Sequence, residues 1–232
     1  MGVAENVRLV RERIAQAAGE AGRDPGEILL VAATKMNGAE AVRAAVAAGV
    51  DACGENRVQE LVEKNAQGAY TGAPLHFIGH LQKNKINKLV GVCDLIQSVD
   101  SAELLAAIGR RASALGVIQQ ILLEVNVGGE AQKSGVAPEE LDALLDAAAE
   151  MPGVSVRGLM TEPPICEKSA EVRVFFDRMY RLFVDIRAKK RDNVTMRILS
   201  MGMSADYAEA IAAGANMVRV GSAIFGERNY NR

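Results

Sequence analysis

The chain has 232 residues, of which 49% are apolar and 24% charged, and its formal net charge is −2. This composition is typical of a globular protein with a substantial core, and it provides no basic field that would recruit nucleic acid or anionic lipid. The three scattered cysteines contain no CxxC pair, which argues against a disulfide framework or a zinc site.

Short β-like runs alternate with Ala-rich helical segments, after an amphipathic helix at the amino terminus. The predicted strands are 28–34, 50–54, 75–79, 94–99, 120–127, 154–160, 195–200 and 216–221. The predicted helices between them are 39–48, 56–66, 83–90, 101–114, 138–150, 168–188 and 204–213. Glycines that suit a left-handed helix end follow three of these helices, at Gly49, Gly116 and Gly214.

The strand-like runs lack a clean two-residue alternation, which indicates parallel strands that are covered on both faces. Eight strand–helix units predict an α/β fold, a single closed (β/α)8 barrel of the TIM type, and the alternative is an open doubly wound sheet. Neither GxGxxG nor GxxxxGK[ST] occurs, which weakens a dinucleotide or P-loop interpretation. No linker interrupts the pattern, so residues 1–232 are expected to form one domain.

We expect no targeting segment in this sequence. The amino-terminal residues lack the apolar run of a signal peptide, and no segment reaches about 18 consecutive apolar residues. We therefore expect a cytoplasmic protein with neither a membrane nor a nucleic-acid partner. His76 and His80 have no metal-ligand companions at a suitable spacing, so no metal ion is expected.

In a barrel of this type, chemistry takes place where the strands end and the following loops begin. Polar residues stand near the ends of several predicted strands or directly after them, among them Lys35, Asn56, His80, Glu124, Ser200, Ser204, Arg219 and Ser222. The loops after the last two strands, SMGMS and GSAIFG, are rich in Gly and Ser, and loops at these positions commonly bind phosphate. The sequence therefore predicts an anion site there, with Arg219 as a nearby cation.

Lys35 stands directly after an apolar strand, where an uncompensated ammonium group is costly. Burial and a neighbouring arginine both lower a lysine pKa, and a neutral amine can attack a carbonyl group to form an imine. A carbonyl compound with a phosphate group would occupy both ends of such a pocket. Pyridoxal 5′-phosphate and the sugar phosphate of a lysine aldolase both fit this description, and a lysine that only extends to solvent is the alternative.

Ordered sequence blocks run nearly from end to end of the chain: LLVAATK, GENRVQEL, HFIGHLQKNK, IQSVDS, LLEVNVGGEAQKSGV, GLMT and LSMGMSADYAEAIAAGANMVRVGSAIFG. Through these blocks the sequence resembles the YggS/PROSC family of pyridoxal phosphate homeostasis proteins. The resemblance implies one barrel like the amino-terminal domain of alanine racemase, without that enzyme's C-terminal β-domain. It also implies that pyridoxal 5′-phosphate is held on Lys35 as a Schiff base.

The resemblance assigns further residues to the cofactor. Ser200, Gly221 and Ser222 match phosphate-binding positions, and Arg219 matches the arginine that faces the pyridine nitrogen in alanine racemases. An arginine there keeps that nitrogen unprotonated and weakens the cofactor as an electron sink. The full set of cofactor-binding residues is Lys35, Asn56, His80, Ser200, Met201, Arg219, Gly221 and Ser222, with no catalytic residue and no metal ligand. The chain departs from common family members at Gly38, Arg57 and Leu75.

Two function classes are compatible with this resemblance. One is a homeostasis protein or carrier without robust turnover, whose candidate recipients are apoenzymes that depend on pyridoxal 5′-phosphate. The other is a fold-type III enzyme such as an amino-acid racemase, which needs a second acid/base group on an added β-domain. The chain ends soon after the eighth predicted strand, with Tyr230 in its tail. We therefore favour the carrier, and we expect a monomer.

Overall fold

The computed structural model describes residues 2–130, 132–166 and 168–226, and in this part of the chain eight parallel strands close into a barrel. The strands are β1 (Leu29–Ala33), β2 (Ala52–Glu55), β3 (Leu75–Phe77), β4 (Leu95–Val99), β5 (Gln119–Glu124), β6 (Val154–Met160), β7 (Val194–Ser200) and β8 (Met217–Val220). Their spatial order follows the sequence, and β8 pairs with β1. This confirms the predicted (β/α)8 barrel and excludes the open sheet.

Helices surround the barrel and cover its outer face. They are α1 (Val3–Glu20), α2 (Ala39–Ala47), α3 (Val58–Ala66), α4 (Ala102–Leu115), α5 (Leu141–Ala149), α6 (Ser169–Ala188), α7 (Tyr207–Ala212) and α8 (Ser222–Phe225). Gly49, Gly116 and Gly214 have positive φ angles at the helix ends, as predicted. None of the helices in the described ranges is both long and apolar enough to cross a membrane.

The segment predicted as a helix over 83–90 differs from the prediction. It is a 3-10 helix over Lys83–Lys88, in which Ile86 is the only buried side chain. A single buried apolar residue cannot stabilise a regular amphipathic helix, and the asparagines of the segment are weak helix formers. Gly91, with a φ of 80°, then turns the chain toward β4.

The hydrophobic core has two layers. The larger layer lies between the strands and the helices, and its residues form one continuous cluster. The smaller layer fills the barrel interior with the buried apolar residues Val31, Ala52, Leu95, Leu122, Met160 and Met217. Polar groups lie both in the interior and at the carboxyl ends of the strands, and those at the carboxyl ends face one mouth of the barrel. Tyr230, in the tail, lies outside the described residues.

Candidate functional site

Lys35 lies just past the carboxyl end of β1. The preceding residue, Thr34, extends the pairing with β2, because its N–H donates to the Gly54 carbonyl at 2.9 Å. The Lys35 side chain is half-buried. Met36 follows with a φ of 62°, in the left-handed region that residues other than glycine rarely adopt. The chain therefore turns sharply directly after the lysine.

Helix α3 holds this turn through a buried lysine. Lys64 is 7% exposed, and its Nζ donates to the Thr34 carbonyl at 2.8 Å, to Glu55 Oε1 and to Glu60 Oε2 at 3.1 Å. Glu60 Oε2 also accepts the Met36 N–H at 2.7 Å. Both peptide groups that flank Lys35 are therefore hydrogen-bonded to side chains of α3, and we call this arrangement the α3 clamp.

The carboxylate of Glu55, at the end of β2, is fully buried and is the centre of the clamp. Besides Lys64, it accepts the hydroxyl protons of Thr34, at 2.7 Å, and Tyr70, at 3.3 Å. Burial, followed by the charge of Glu55, raises the pKa of Tyr70 far above its ordinary value. The carboxylate is thus compensated by one cation and two hydroxyl donors, as a buried charge requires.

Asn56 and His80 line a cavity of about 260 Å³ at the barrel mouth. Asn56 Oδ1 is buried and has no hydrogen-bond partner among the described residues. A Cβ atom on Gly79 would lie 2.3 Å from the Asn56 carbonyl oxygen, so only glycine fits there. His80 lies at the outer rim, where Nδ1 is 3.2 Å from Ser134 Oγ.

Arg219, on β8, is 2% exposed and lies across the base of the mouth. Its Nη1 donates to Ser200 Oγ at 2.7 Å, and its Nη2 donates to the Thr161 carbonyl at 2.9 Å. Its Nε is buried and has no partner among the described residues. Burial lowers the pKa of the guanidinium, and nearby carboxylates, chiefly Glu162, oppose this effect. The Nε–H group of Arg219 is thus a donor that a ligand could accept.

Glu124, at the end of β5, also lines the mouth cavity and is 8% exposed. Burial, reinforced by the charges of Glu162 and Asp100, raises its pKa to about 7, although Arg219 acts in the opposite direction. The mouth therefore contains a carboxyl group that exchanges its proton near neutral pH.

The loops after β7 and β8 converge on one oxygen atom. Ser204 Oγ accepts hydrogen bonds from the Gly221 N–H at 3.1 Å and from the Ala223 N–H at 3.3 Å. Gly202, with a φ of 94°, lies against α7, because a Cβ there would be 2.6 Å from Ala210 Cβ and 2.9 Å from Tyr207 Cα. A phosphate oxygen that took the place of the Ser204 hydroxyl would accept the same two backbone hydrogen bonds.

The structure separates the two serines of the SMGMS loop. Ser200 is fully buried, and its hydroxyl donates to Gln97 Oε1 at 2.7 Å while it accepts from Arg219. Ser200 therefore lies beneath Arg219, on the interior side. The Met201 side chain is buried in the outer core layer, away from the mouth. Ser204, which the resemblance did not assign, occupies the donor-lined position instead.

The remaining assigned residues come together at the seam between β1 and β8. Ala32 is paired with Val220, so Lys35 and Gly221 follow neighbouring strand ends. A Cβ atom on Gly221 would lie 3.5 Å from the Ala33 carbonyl oxygen. Ser222 is exposed at the start of α8, next to this seam. A half-buried amine, a guanidinium donor and an anion cradle thus share one end of the barrel.

Comparison with known proteins agrees with this geometry. Residues 3–229 match the family described as the alanine racemase N-terminal domain. The fold and the site therefore define a barrel of the alanine racemase class. Within that class, the chain belongs to the family of pyridoxal phosphate homeostasis proteins, since it is 41% identical over 230 residues to the member from Aquifex aeolicus. The match covers 99% of this chain and 100% of that protein.

Solved structures place the chain in the same fold. PipY from Synechococcus elongatus, in a structure with PLP bound, is 34% identical with a TM-score of 0.80, and the match covers 92% of this chain and 100% of PipY. Alanine racemase from Clostridium difficile is 17% identical with a TM-score of 0.76, over 98% of this chain and 58% of the enzyme. The second likeness concerns the fold alone.

Proposed function

We propose that the protein binds pyridoxal 5′-phosphate through a Schiff base with Lys35 and acts in homeostasis of this cofactor, without robust turnover. We further propose that it is a cytoplasmic monomer, and that apoenzymes dependent on the cofactor are its recipients. The observation that carries the proposal is the juxtaposition of Lys35, the Arg219 donor and the Ser204 cradle at one seam of the barrel. The cofactor bound to PipY and the names of the relatives support it.

The residues of the mouth fit each part of this cofactor. Lys35 would hold the cofactor through its aldehyde group, to which a primary amine can bond with loss of water. Ser204 and the N–H groups of Gly221 and Ala223 bind the phosphate. The Arg219 Nε, buried and without a partner in the described part of the chain, donates to the ring nitrogen.

Arg219 bears on the choice between carrier and enzyme. The bound cofactor supplies an electron-accepting ring, which stabilises a carbanion best when its nitrogen carries a proton. A guanidinium that donates to this nitrogen leaves it unprotonated. Arg219 therefore holds the ring in its less reactive form, which suits a protein that stores or delivers the cofactor.

The second candidate function is that of a fold-type III enzyme such as an amino-acid racemase. Glu124 is the observation that favours it, because a buried carboxyl with a pKa of about 7 could move a proton near neutral pH. Alanine and other amino acids, incubated with the loaded protein, should show no robust racemisation. Turnover that Glu124→Gln abolishes would favour the enzyme instead.

Absorption spectra of purified protein test the proposal. With added cofactor, the wild type should show a visible band that disappears on borohydride treatment, and Lys35→Ala should lack this band. Lys83→Ala, which removes an exposed lysine paired with Glu103, is the matched control and should keep it. A wild type without the band in excess cofactor would contradict the proposal and favour a phosphosugar aldolase.

A further inference from the structure

A chain of hydrogen bonds crosses the barrel interior from Arg219 to His76. Arg219 Nη1 donates to Ser200 Oγ, and Ser200 Oγ donates to Gln97 Oε1, each at 2.7 Å. Gln97 Nε2 lies 3.0 Å from His76 Nδ1. All four side chains are buried, and His76, the most accessible, is 7% exposed. We call these four residues the interior chain.

The hydrogen bonds of the interior chain all run in one donor-to-acceptor direction, which Arg219 determines; we call this direction its polarity. A guanidinium can only donate, so Ser200 must accept with its oxygen and give its own proton to the Gln97 carbonyl. The Gln97 amide nitrogen then faces His76 as a donor, and His76 must be neutral with its proton on Nε2. Burial lowers the pKa of His76 to about 4, despite the opposing charge of Asp94, which agrees with a neutral ring.

His76 is the last residue of the interior chain, and it lines a second cavity. This cavity has a volume of about 270 Å³, and apolar side chains such as Val31, Ile198 and Met217 form most of its wall. Asp51 and Asp94 are the charged residues that line it together with His76. Because Asp51 and Asp94 precede β2 and β4, the cavity lies at the amino-terminal end of the barrel, opposite the cofactor site.

Apolar packing would fill the barrel interior at lower cost than four buried polar side chains. The neighbouring interior residues are apolar, so the fold accepts such packing. The interior chain does help to hold Arg219. Its Ser200 binds one terminal nitrogen of the guanidinium, and the Thr161 carbonyl binds the other. With Nη1 and Nη2 committed, the direction of the Nε–H bond is determined.

We propose that Gln97 and His76 are positioning residues for Arg219, and that through Ser200 they couple the amino-terminal cavity to the cofactor site. The proposed function enters only where pyridoxal 5′-phosphate is taken as the ligand of Arg219; the hydrogen bonds of the interior chain do not depend on it. The coupling predicts that a change at either end of the interior chain is detected at the other end, because linkage is reciprocal.

Nuclear magnetic resonance of the cofactor-free protein tests the polarity. The sequence contains two histidines, and His80→Asn assigns their signals. Nitrogen–proton correlation spectra should show His76 neutral at neutral pH, with its proton on Nε2. A proton on Nδ1 would contradict the assigned polarity.

Substitution of Gln97 tests the coupling. In Gln97→Met, added pyridoxal 5′-phosphate should no longer shift the His76 signals, and the absorption maximum of the bound cofactor should move. Gln119→Met is the matched control, since Gln119 is 3% exposed and donates at 3.0 Å to the carbonyl of Cys93, which lies just before β4. Gln119→Met should lose a comparable amount of stability toward urea. It should keep the shift of the His76 signals on addition of cofactor and the wild-type absorption maximum. Equal responses in the two variants would overturn the proposal.

Spectra of variants of the cofactor-free protein test the interior chain independently of the proposed function. Arg219→Lys should change the His76 signals in the absence of any ligand, because lysine cannot reproduce the fork geometry of the guanidinium. Gln97→Glu, which conserves volume, should raise the pKa of His76 by more than about one unit, since a carboxylate stabilises the imidazolium. Unchanged His76 signals in both variants would overturn the interior chain, even if the cofactor binds as proposed.

Discussion

Ser200 and Ser204 show how two similar residues of one loop acquire different roles. Ser200 is the last residue of β7, and the pleat of the strand directs its side chain into the barrel, beneath Arg219. Ser204 lies beyond the strand, where its hydroxyl meets the N–H groups of Gly221 and Ala223. In the proposed complex, Ser204 is therefore the phosphate-binding residue, while Ser200 supports Arg219.

Ser204→Ala should weaken the binding of pyridoxal 5′-phosphate about tenfold, which corresponds to about 1.4 kcal/mol for one hydrogen bond to a charged oxygen. It should leave the binding of pyridoxal, which has no phosphate, unchanged. Ser200→Ala should weaken the binding of both compounds, because it removes the hydrogen-bond acceptor of Arg219 Nη1. Spectroscopic titration with each compound measures these effects. Equal losses for both compounds in Ser204→Ala would contradict the assignment.

Glu124 gives the stability of the protein a pH dependence of known sign. Its pKa is raised by burial from 4.5 to about 7 in the folded state, so folding favours the protonated form. The stability that this preference provides is complete below pH 4.5 and is lost as the pH rises to about 7.

Glu124→Gln should remove this dependence, because the amide has no proton to lose. Its advantage in unfolding free energy over wild type should grow to about 3 kcal/mol as the pH rises from 4.5 to about 7, at 1.36 kcal/mol for each unit of pKa. Urea unfolding at a series of pH values measures it, with the exposed Glu63→Gln as the control. An advantage that does not vary with pH would contradict the assignment.

At the scale of secondary-structure elements, α3 determines the conformation around Lys35. The clamp joins three elements, because Thr34 follows β1, Glu55 ends β2, and Glu60 and Lys64 belong to α3. Met36 keeps an unfavourable φ angle only because its N–H is held by Glu60. The clamp therefore holds the backbone on both sides of Lys35.

Lys64→Met should destabilise the protein by about 3–5 kcal/mol, because it leaves the buried Glu55 carboxylate without its cation. The double variant Glu55→Gln/Lys64→Met should recover part of this loss, since the amide needs no counter-charge. Urea unfolding compares these variants with Lys88→Met, which alters an exposed lysine. A loss in Lys64→Met no larger than that of the control would show that the clamp contributes little.

Part of the clamp could be predicted from the sequence. The spacing of Glu60 and Lys64 is that of an i, i+4 ion pair on a helix. The contact between Lys64 and Glu55 could not be predicted from the sequence, because it depends on how α3 packs against the end of β2. The sequence likewise indicated SMGMS as a whole, while the pleat of β7 decides which serine points inward.

At the scale of the whole molecule, the closed barrel leaves no strand edge unpaired between β1 and β8. Helix α1 packs against α2, α7 and α8, and so covers the seam at which the barrel closes. Asn6 Nδ2 donates to the Ile224 carbonyl at 2.8 Å and ties α1 to the short helix beside the phosphate cradle. The first and last helices thus support the same seam that carries Lys35 and Gly221.

The barrel and its order of strands were predictable, because eight apolar runs alternate with helical segments at regular spacing. The interior chain was not, since His76, Gln97 and Ser200 lie on three different strands and meet only when the barrel closes. Hydrophobic periodicity reports which residues are buried, but it does not report which buried polar groups face one another.

Mass spectrometry of the borohydride-reduced protein tests whether Lys35 forms the covalent link to pyridoxal 5′-phosphate. Borohydride converts the C=N bond into a stable amine, so the cofactor remains attached through proteolytic digestion. We expect its added mass on the peptide that contains Lys35, and on no other peptide at one equivalent of cofactor. Added mass on a different lysine, such as Lys133, or no added mass at all would contradict the account.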